Sequence, residues 1–393
     1  HDPKTPIATI NVLYDVGARD ENPDRTGFAH LFEHLMFGGS KHIPSYDEPL
    51  ERAGGENNAF TNNDITNYYL TLPVVNLETG FWLESDRMLE LAFSDKSLEV
   101  QKNVVSEEFR QRYLNQPYGD VMALLRKLAY EVHPYQWPTI GRNIDHIVDA
   151  SMSDVRDFFE HHYAPNNAVV AVGGDVKTEE VRNLANKWFG SIPERNVKER
   201  NLPAEPPQNE KRFKKVTRKV PADAIYMAFH MSARQSKLFY VTDLISDILS
   251  NGKSSRLFQK LVVEKQMFSE LDAFVTGDQD PGLFIIAGKL HEKQNIDIAY
   301  EAIMNELYDM SEYVEERELQ KVKNKFEANF YYSLTRVLSK TMNLAYFELL
   351  GDARDWLREI DLYHAVTVND IKNMAKQLFD VSNQSVVYYL SEK

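Results

Sequence analysis

Positions 29–39 read AHLFEHLMFGG. His30 and His34 stand four residues apart with Glu33 between them, in a run that is otherwise apolar. Phe28, Leu31, Phe32, Leu35 and Met36 recur at helical spacing, which predicts a helix from Gly27 to about Phe37. Residues four apart on a helix share a face. Two imidazoles there converge on one point, as two ligands of a single zinc ion do. Glu33 lies three residues after His30 on the same side, placed to take a proton from a water activated there. The order H-x-x-E-H is the inverted form of the zinc-protease helix. A carboxylate and two imidazoles among apolar neighbours are costly without a compensating cation, which favours a metal over a chance surface match.

Two histidines leave zinc short of ligands, because a catalytic site takes a third protein ligand and keeps one position open. The stretch SLEVQKNVVSEEFRQRYLNQP reads as a helix whose buried side is marked by Val104, Val105 and Phe109. Glu108 follows Val104 by four residues and Val105 by three, and so projects beside that apolar face. Glu107 leans toward Asn103 and Arg110, hence toward water. Glu108 is therefore the expected third ligand.

The bulk numbers narrow the partners. The chain has 393 residues, enough for two or three domains with a large core. Its net charge is −14, from 59 acids against 45 bases, which argues against nucleic acid as a partner. No apolar run is long enough for a membrane-spanning helix. With no cysteine, disulfides and cysteine-ligated zinc are excluded. The chain enters a strand almost at once, in HDPKTPIATINVLYDVG, and residues upstream are expected to have been removed, by processing or by the choice of expressed segment.

The elements that must position the site can be read in outline. PIATINVLYDVGARDE is a strand. ERAGGENNAFTNNDITNYYLTLP is a turn leading into a strand, and helices follow around 76–92, 95–115 and 150–163. The proline-containing polar stretch at 196–212 reads as a linker. It separates an N-terminal zinc-bearing half, 1–195, from a C-terminal half without zinc residues, 213–393. The second half repeats the order of the first: DAIYMAFHMSA as strand, helices at 237–250 and 254–266, FIIAGKL as strand, then long helices at 293–310 and 313–347. Equal halves of similar order predict an internally duplicated α+β fold, each half a mostly antiparallel sheet packed with helices. Outside any ligand spacing, His133, His161 and His162 read as structural. The aromatic stripe in NFYYSLTRVL reads as helix core or interface.

Over nearly its whole length the chain resembles the pitrilysin family of metallopeptidases, in particular its short bacterial members. The same group includes mitochondrial processing peptidase and insulin-degrading enzyme. The resemblance rests on GFAHLFEHLMFGGS, GGENNAFTNNDITNYY, VVSEEFRQ, HPYQWPTIG and YAPNNAVVAVGGDV. It implies zinc, one ion per chain, on His30, His34 and Glu108, with Glu33 as general base, and a fold of two similar α+β halves. Many members carry a glutamate seven residues before the third ligand, where this sequence has Gln101. A glutamine there can still hydrogen-bond a ligand from behind, without charge.

The resemblance also implies that peptide binds as an added strand along a sheet edge. NNAFTNND, slight in bulk and free of proline, offers such an edge at Asn58, Ala59, Phe60 and Thr61. Backbone pairing favours short or unfolded peptides. In the family an Arg and a Tyr of the second domain reach the zinc site, and here the matching positions are Val262 and Ser269. Neither can donate as a guanidinium or phenol does. A dimer is expected, favoured as a heterodimer in which a related zinc-free subunit brings the Arg/Tyr pair, with a homodimer as runner-up. The expected activity is that of a zinc endopeptidase in the bacterial periplasm or cell envelope, with the cytoplasm as alternative. The rival reading is a non-catalytic peptide-binding or scaffold subunit of the same fold.

Overall fold

The computed structural model describes residues 1–392. They form two compact units. The first comprises His1–Arg110, Trp137–Leu202 and Tyr331–Leu357. The second comprises Gln111–Gln136, Pro203–Phe330 and the described residues from Arg358 onward.

In the first unit, β1 (Ile7–Tyr14), β2 (Glu56–Thr61), β3 (Thr66–Pro73) and β4 (Ala168–Gly174) form an antiparallel sheet in the order β2-β3-β1-β4. β1 is central and buried on both faces, which is why its sequence is almost continuously apolar or β-branched. One face carries Ile10, Val12 and Tyr14 and packs under α1 (Phe28–Leu35) and the helix Leu77–Leu89. On the other face Leu13 and Ile65 pack with Ala345 of the helix Val337–Leu350.

In the second unit, β5 (Arg212–Arg218), β6 (Ala224–His230), β7 (Phe268–Val275), β8 (Leu283–Leu290) and β9 (Gln384–Ser391) are ordered β5-β9-β6-β8-β7. Leaving out β5, the order β7-β8-β6-β9 reproduces β2-β3-β1-β4 strand for strand, with the same antiparallel pairings. The duplication read from element order is therefore a duplication of sheet topology. The helix Lys237–Ser250, which follows β6 as α1 follows β1, reads KLFYVTDLISDILS and has no histidine.

The boundaries 1–195 and 213–393 are crossed by two segments. The helix Val121–Ala129, from the N-terminal half, packs on β6 and β9 of the second unit. The helix Val337–Leu350, from the C-terminal half, packs on β4 and β1 of the first. The two helices cover equivalent strands, so each sheet is completed by chain from the opposite half. Gly173 of β4 fits the close approach in the first unit, since a Cβ there would collide with Thr341 Oγ1. The expected linker carries neither helix nor strand over 196–209; its start is held on the first unit, and from Pro203 it belongs to the second, where Glu205 accepts the N–H groups of Glu131, Val132 and His133. Arg195 donates to the carbonyls of Tyr163, Met88 and Leu89 at 2.6–2.9 Å, and Arg200 pairs with Asp15 and Asp20.

Other expectations shift by a few residues. The span 313–347 is two helices, Glu316–Ser333 and Val337–Leu350, and the helix expected at 254–266 is a short π-helix, Phe258–Glu264. The aromatic stripe is not core throughout, for Tyr332 is 74% exposed. The helix Met152–His162 opens on a Ser151–Asp154 capping box. No helix among the described residues is long and apolar enough to cross a membrane.

Candidate metal centre

α1 begins without a capping side chain. Its N-cap is Gly27, held at φ 92°, where a Cβ would come within 2.7 Å of the Ile140 carbonyl oxygen. Glycine is thus required, and the first N–H groups of the helix need an acceptor from elsewhere. Glu21 provides it. Its carboxylate accepts the backbone N–H of Gly27 and of Ala29, both at 2.9 Å, and the indole N–H of Trp137 at 3.1 Å. Burial pushes the Glu21 carboxyl up to about 8, against the pull of those three donors. Sequence reading missed this residue. The signal was a buried-helix start whose cap position holds glycine in place of a Ser, Thr, Asp or Asn.

Behind the helix, Leu31, Phe32 and Leu35 are buried, and Tyr68 of β3 donates its hydroxyl to the Phe32 carbonyl at 3.2 Å. Beneath lies a buried Glu84–Arg87 pair with the guanidinium 4.5 Å above the rings of Tyr46 and Tyr68. These contacts fix the rotation of α1 and leave its other face to His30 and His34.

The two imidazoles meet there with Nε2 atoms 3.4 Å apart and ring planes perpendicular. Glu108, near the end of the helix Asp95–Phe109, completes the triangle. Its carboxylate oxygens lie 3.6 Å from His30 Nε2 and 3.7 Å from His34 Nε2. Among the described residues this is the one group of three or more His, Asp or Glu side chains able to close on a metal ion. The donor set is two imidazole nitrogens and a carboxylate oxygen, as catalytic zinc sites with an open position use. The spacing fits as well. Ligands about 2.1 Å from a tetrahedral zinc stand roughly 3.4 Å from one another, close to the three separations in this site.

Glu107 is turned away, exposed and paired with Arg110. The face of that helix differs from the one expected, because Val104 is 40% exposed while Leu98 and Val105 are buried. The covered stripe runs through residues seven apart, where the helix lies against α1. Glu108 follows Val105 by three residues and so borders that stripe. Gln101 lies on the same helix but forms no side-chain hydrogen bond to His30, His34 or Glu108 among the described residues. Glu33 is half-buried on α1, and its charge adds to burial in holding the hydroxyl of Tyr68 well above the usual phenol range.

Asn58, Ala59, Phe60 and Thr61 all lie on β2, an outer strand of the first sheet and a neighbour of α1. The turn hydrogen bond from Asn62 N–H to the Ile65 carbonyl sets the alternation of the hairpin. It directs the N–H groups of Phe60 and Asn58 toward β3 and those of Thr61 and Ala59 outward. The Ala59 N–H is met by its neighbour's side chain, Asn58 Oδ1, at 2.8 Å. In the second unit Val262 packs against the core and Ser269 Oγ donates to the Lys289 carbonyl at 3.2 Å. His133, His161 and His162 have local partners: the Tyr135 N–H, the Asp157 carbonyl and the Phe158 ring, respectively.

A duplicated α+β fold with an H-x-x-E-H helix packed on its first sheet is the architecture of the pitrilysin-like class, and the comparisons agree. Residues 1–142 match the model "Insulinase (Peptidase family M16)" and residues 149–326 match "Peptidase M16 inactive domain". The chain belongs to peptidase family M16. It is 30% identical to the zinc protease PqqE of Helicobacter pylori over 98% of this chain and 88% of that one. It is 26% identical to the zinc protease YmxG of Bacillus subtilis over 96% and 92%. Among solved structures, a protease from Helicobacter pylori superposes with TM-score 0.93 at 28% identity, covering 99% of this chain and 95% of the other.

Proposed function

We propose that the chain is a zinc-dependent endopeptidase that hydrolyses short or unfolded peptides bound as an added strand along β2. One observation carries this reading: Glu108, from the helix Asp95–Phe109, closes to tetrahedral spacing with His30 and His34 of α1, the helix that also bears Glu33. A zinc ion held by those three side chains would supply a Lewis acid to a peptide carbonyl and to the attacking water. Glu33 takes the proton of that water and passes it to the leaving amine nitrogen. The outward N–H groups of Thr61 and Ala59 pair with the peptide backbone, which gives affinity without reading side chains. The Asn58 amide gives way when a peptide carbonyl takes its place at the Ala59 N–H.

The developing oxyanion needs a further donor, and Val262 and Ser269 offer none of the Arg/Tyr type. A related zinc-free subunit, paired as a heterodimer, would bring that donor. A homodimer is the alternative, and the bacterial periplasm or envelope the proposed location. The experiment is a peptide-library digest with mass-spectrometric readout, run with and without chelator and with Glu33→Gln. Cleavage should vanish with chelator. In the variant it should fall by about 10²–10⁴-fold at unchanged zinc content. Near-normal cleavage by Glu33→Gln would remove Glu33 as the base.

A further inference from the structure

The pleat of β2 divides substrate side chains between two environments. Ala59 pairs with Tyr68, whose hydroxyl reaches α1, so residues opposite Ala59 face the metal helix. Phe60 pairs with Asn67, and Asn67 with Leu13, which packs on the helix Val337–Leu350. Residues of an added strand opposite Phe60 therefore point to the other face. There a cavity of about 360 Å³ opens beside Phe60.

Its apolar walls are Leu13, Phe60, Ile65, Met342 and Tyr346. The remainder is neutral and polar: the amides of Asn62, Asn67 and Asn343 and two serine hydroxyls. No charged side chain lines it among the described residues. The carbonyl oxygen of Asn62 already accepts the N–H groups of Asp64 and Ile65, and that of Asn67 accepts the Asn11 amide. The Asn343 amide donates to the Ser339 carbonyl at 2.8 Å. A charged group entering this space would meet no counter-ion, at a high cost in desolvation. An aromatic or long aliphatic side chain would gain apolar contact and fit the volume.

We infer that this cavity is a specificity pocket, selecting large neutral side chains at substrate positions one residue out of phase with the residue that faces the metal. The inference rests on the strand-addition reading above. It gives side-chain selectivity to a binding mode that backbone pairing alone leaves indifferent.

The experiment is a position scan of one peptide with Phe, Asp and Lys. It is read as cleavage by the wild type in its active oligomer and as calorimetric affinity for Glu33→Gln. Phe should exceed Asp and Lys by about tenfold or more at alternate positions only. Asn343→Asp should raise Lys at those positions, and Met342→Lys should raise Asp. The two variants carry opposite charges, so a general loss of fold cannot imitate both shifts, and one folded variant is enough to decide. A scan with no alternation, or a profile that neither variant moves, overturns the pocket while leaving zinc-dependent cleavage intact. Absence of both cleavage and peptide affinity would sink the strand-addition reading and the pocket with it.

Discussion

The carboxylate of Glu21 accepts the Ala29 backbone N–H at 2.9 Å, one residue before His30. It also holds the Gly27 N–H, so a loop residue sets where α1 begins and hence where His30 points. Glu21→Ala leaves two buried helix N–H groups without an acceptor and should destabilise the metal-free protein by about 2–4 kcal/mol. Glu21→Gln keeps one acceptor oxygen and should lose less. Zinc affinity should weaken by about 10–100-fold in the alanine variant, as for other residues that orient ligands. Denaturant unfolding and chelator competition measure the two effects. Wild-type values in both would remove the positioning role.

Glu108 and Glu107 are adjacent in sequence but lie in different surroundings. Glu108→Ala should strip zinc from the protein, measured by metal analysis after dialysis. Glu107→Ala removes only an exposed pair with Arg110, worth less than about 1 kcal/mol, and should keep full zinc. Full occupancy in the first variant would move the third ligand elsewhere.

Proline on β2 separates peptide binding from fold. The Thr61 N–H points outward, so Thr61→Pro removes a donor to the peptide without cutting the β2–β3 ladder, and should raise KM several-fold at constant zinc and melting temperature. Phe60→Pro removes a ladder donor and should lower the melting temperature as well. Equal KM for Thr61→Pro and wild type across several peptides would count against pairing at this edge.

His162 connects pH to stability. Its imidazole is packed beside Phe158, and burial depresses it to about 4, with Asp20 pulling up and Lys198, His161 and Arg200 pushing down. The fold favours the neutral ring. Its contribution is present above the unfolded value of 6.5 and is lost as pH falls from there through about 4. The shift corresponds to up to about 3 kcal/mol. His162→Phe should flatten the stability-against-pH curve over that window relative to wild type. An unchanged slope would show that other groups set the acid limb.

The partner question is settled by reconstitution. The purified chain alone should cleave peptides slowly, and a related zinc-free subunit from the same genome should raise kcat. Full activity as a homogeneous homodimer, indifferent to any such subunit, would instead assign the missing donor to this chain.

The sequence by itself determined what depends on local periodicity. His30, Glu33 and His34 share a face because a helix turns every 3.6 residues, and their apolar neighbours alone locate that helix. Helical phase also separates Glu108 from Glu107, although the covered stripe runs through Leu98 and Val105 and not through Val104. Element order revealed the duplication. Tertiary structure alone decided what depends on chain distant in sequence. Glu21 caps α1 from a separate loop, and Gly27 shows only that some cap is needed. The helices Val121–Ala129 and Val337–Leu350 cross between halves because each sheet has a second apolar face to bury, and no periodicity states which segment will cover it. The cavity beside Phe60 exists for the same reason: its floor is the first sheet and its wall is a helix from the other end of the chain.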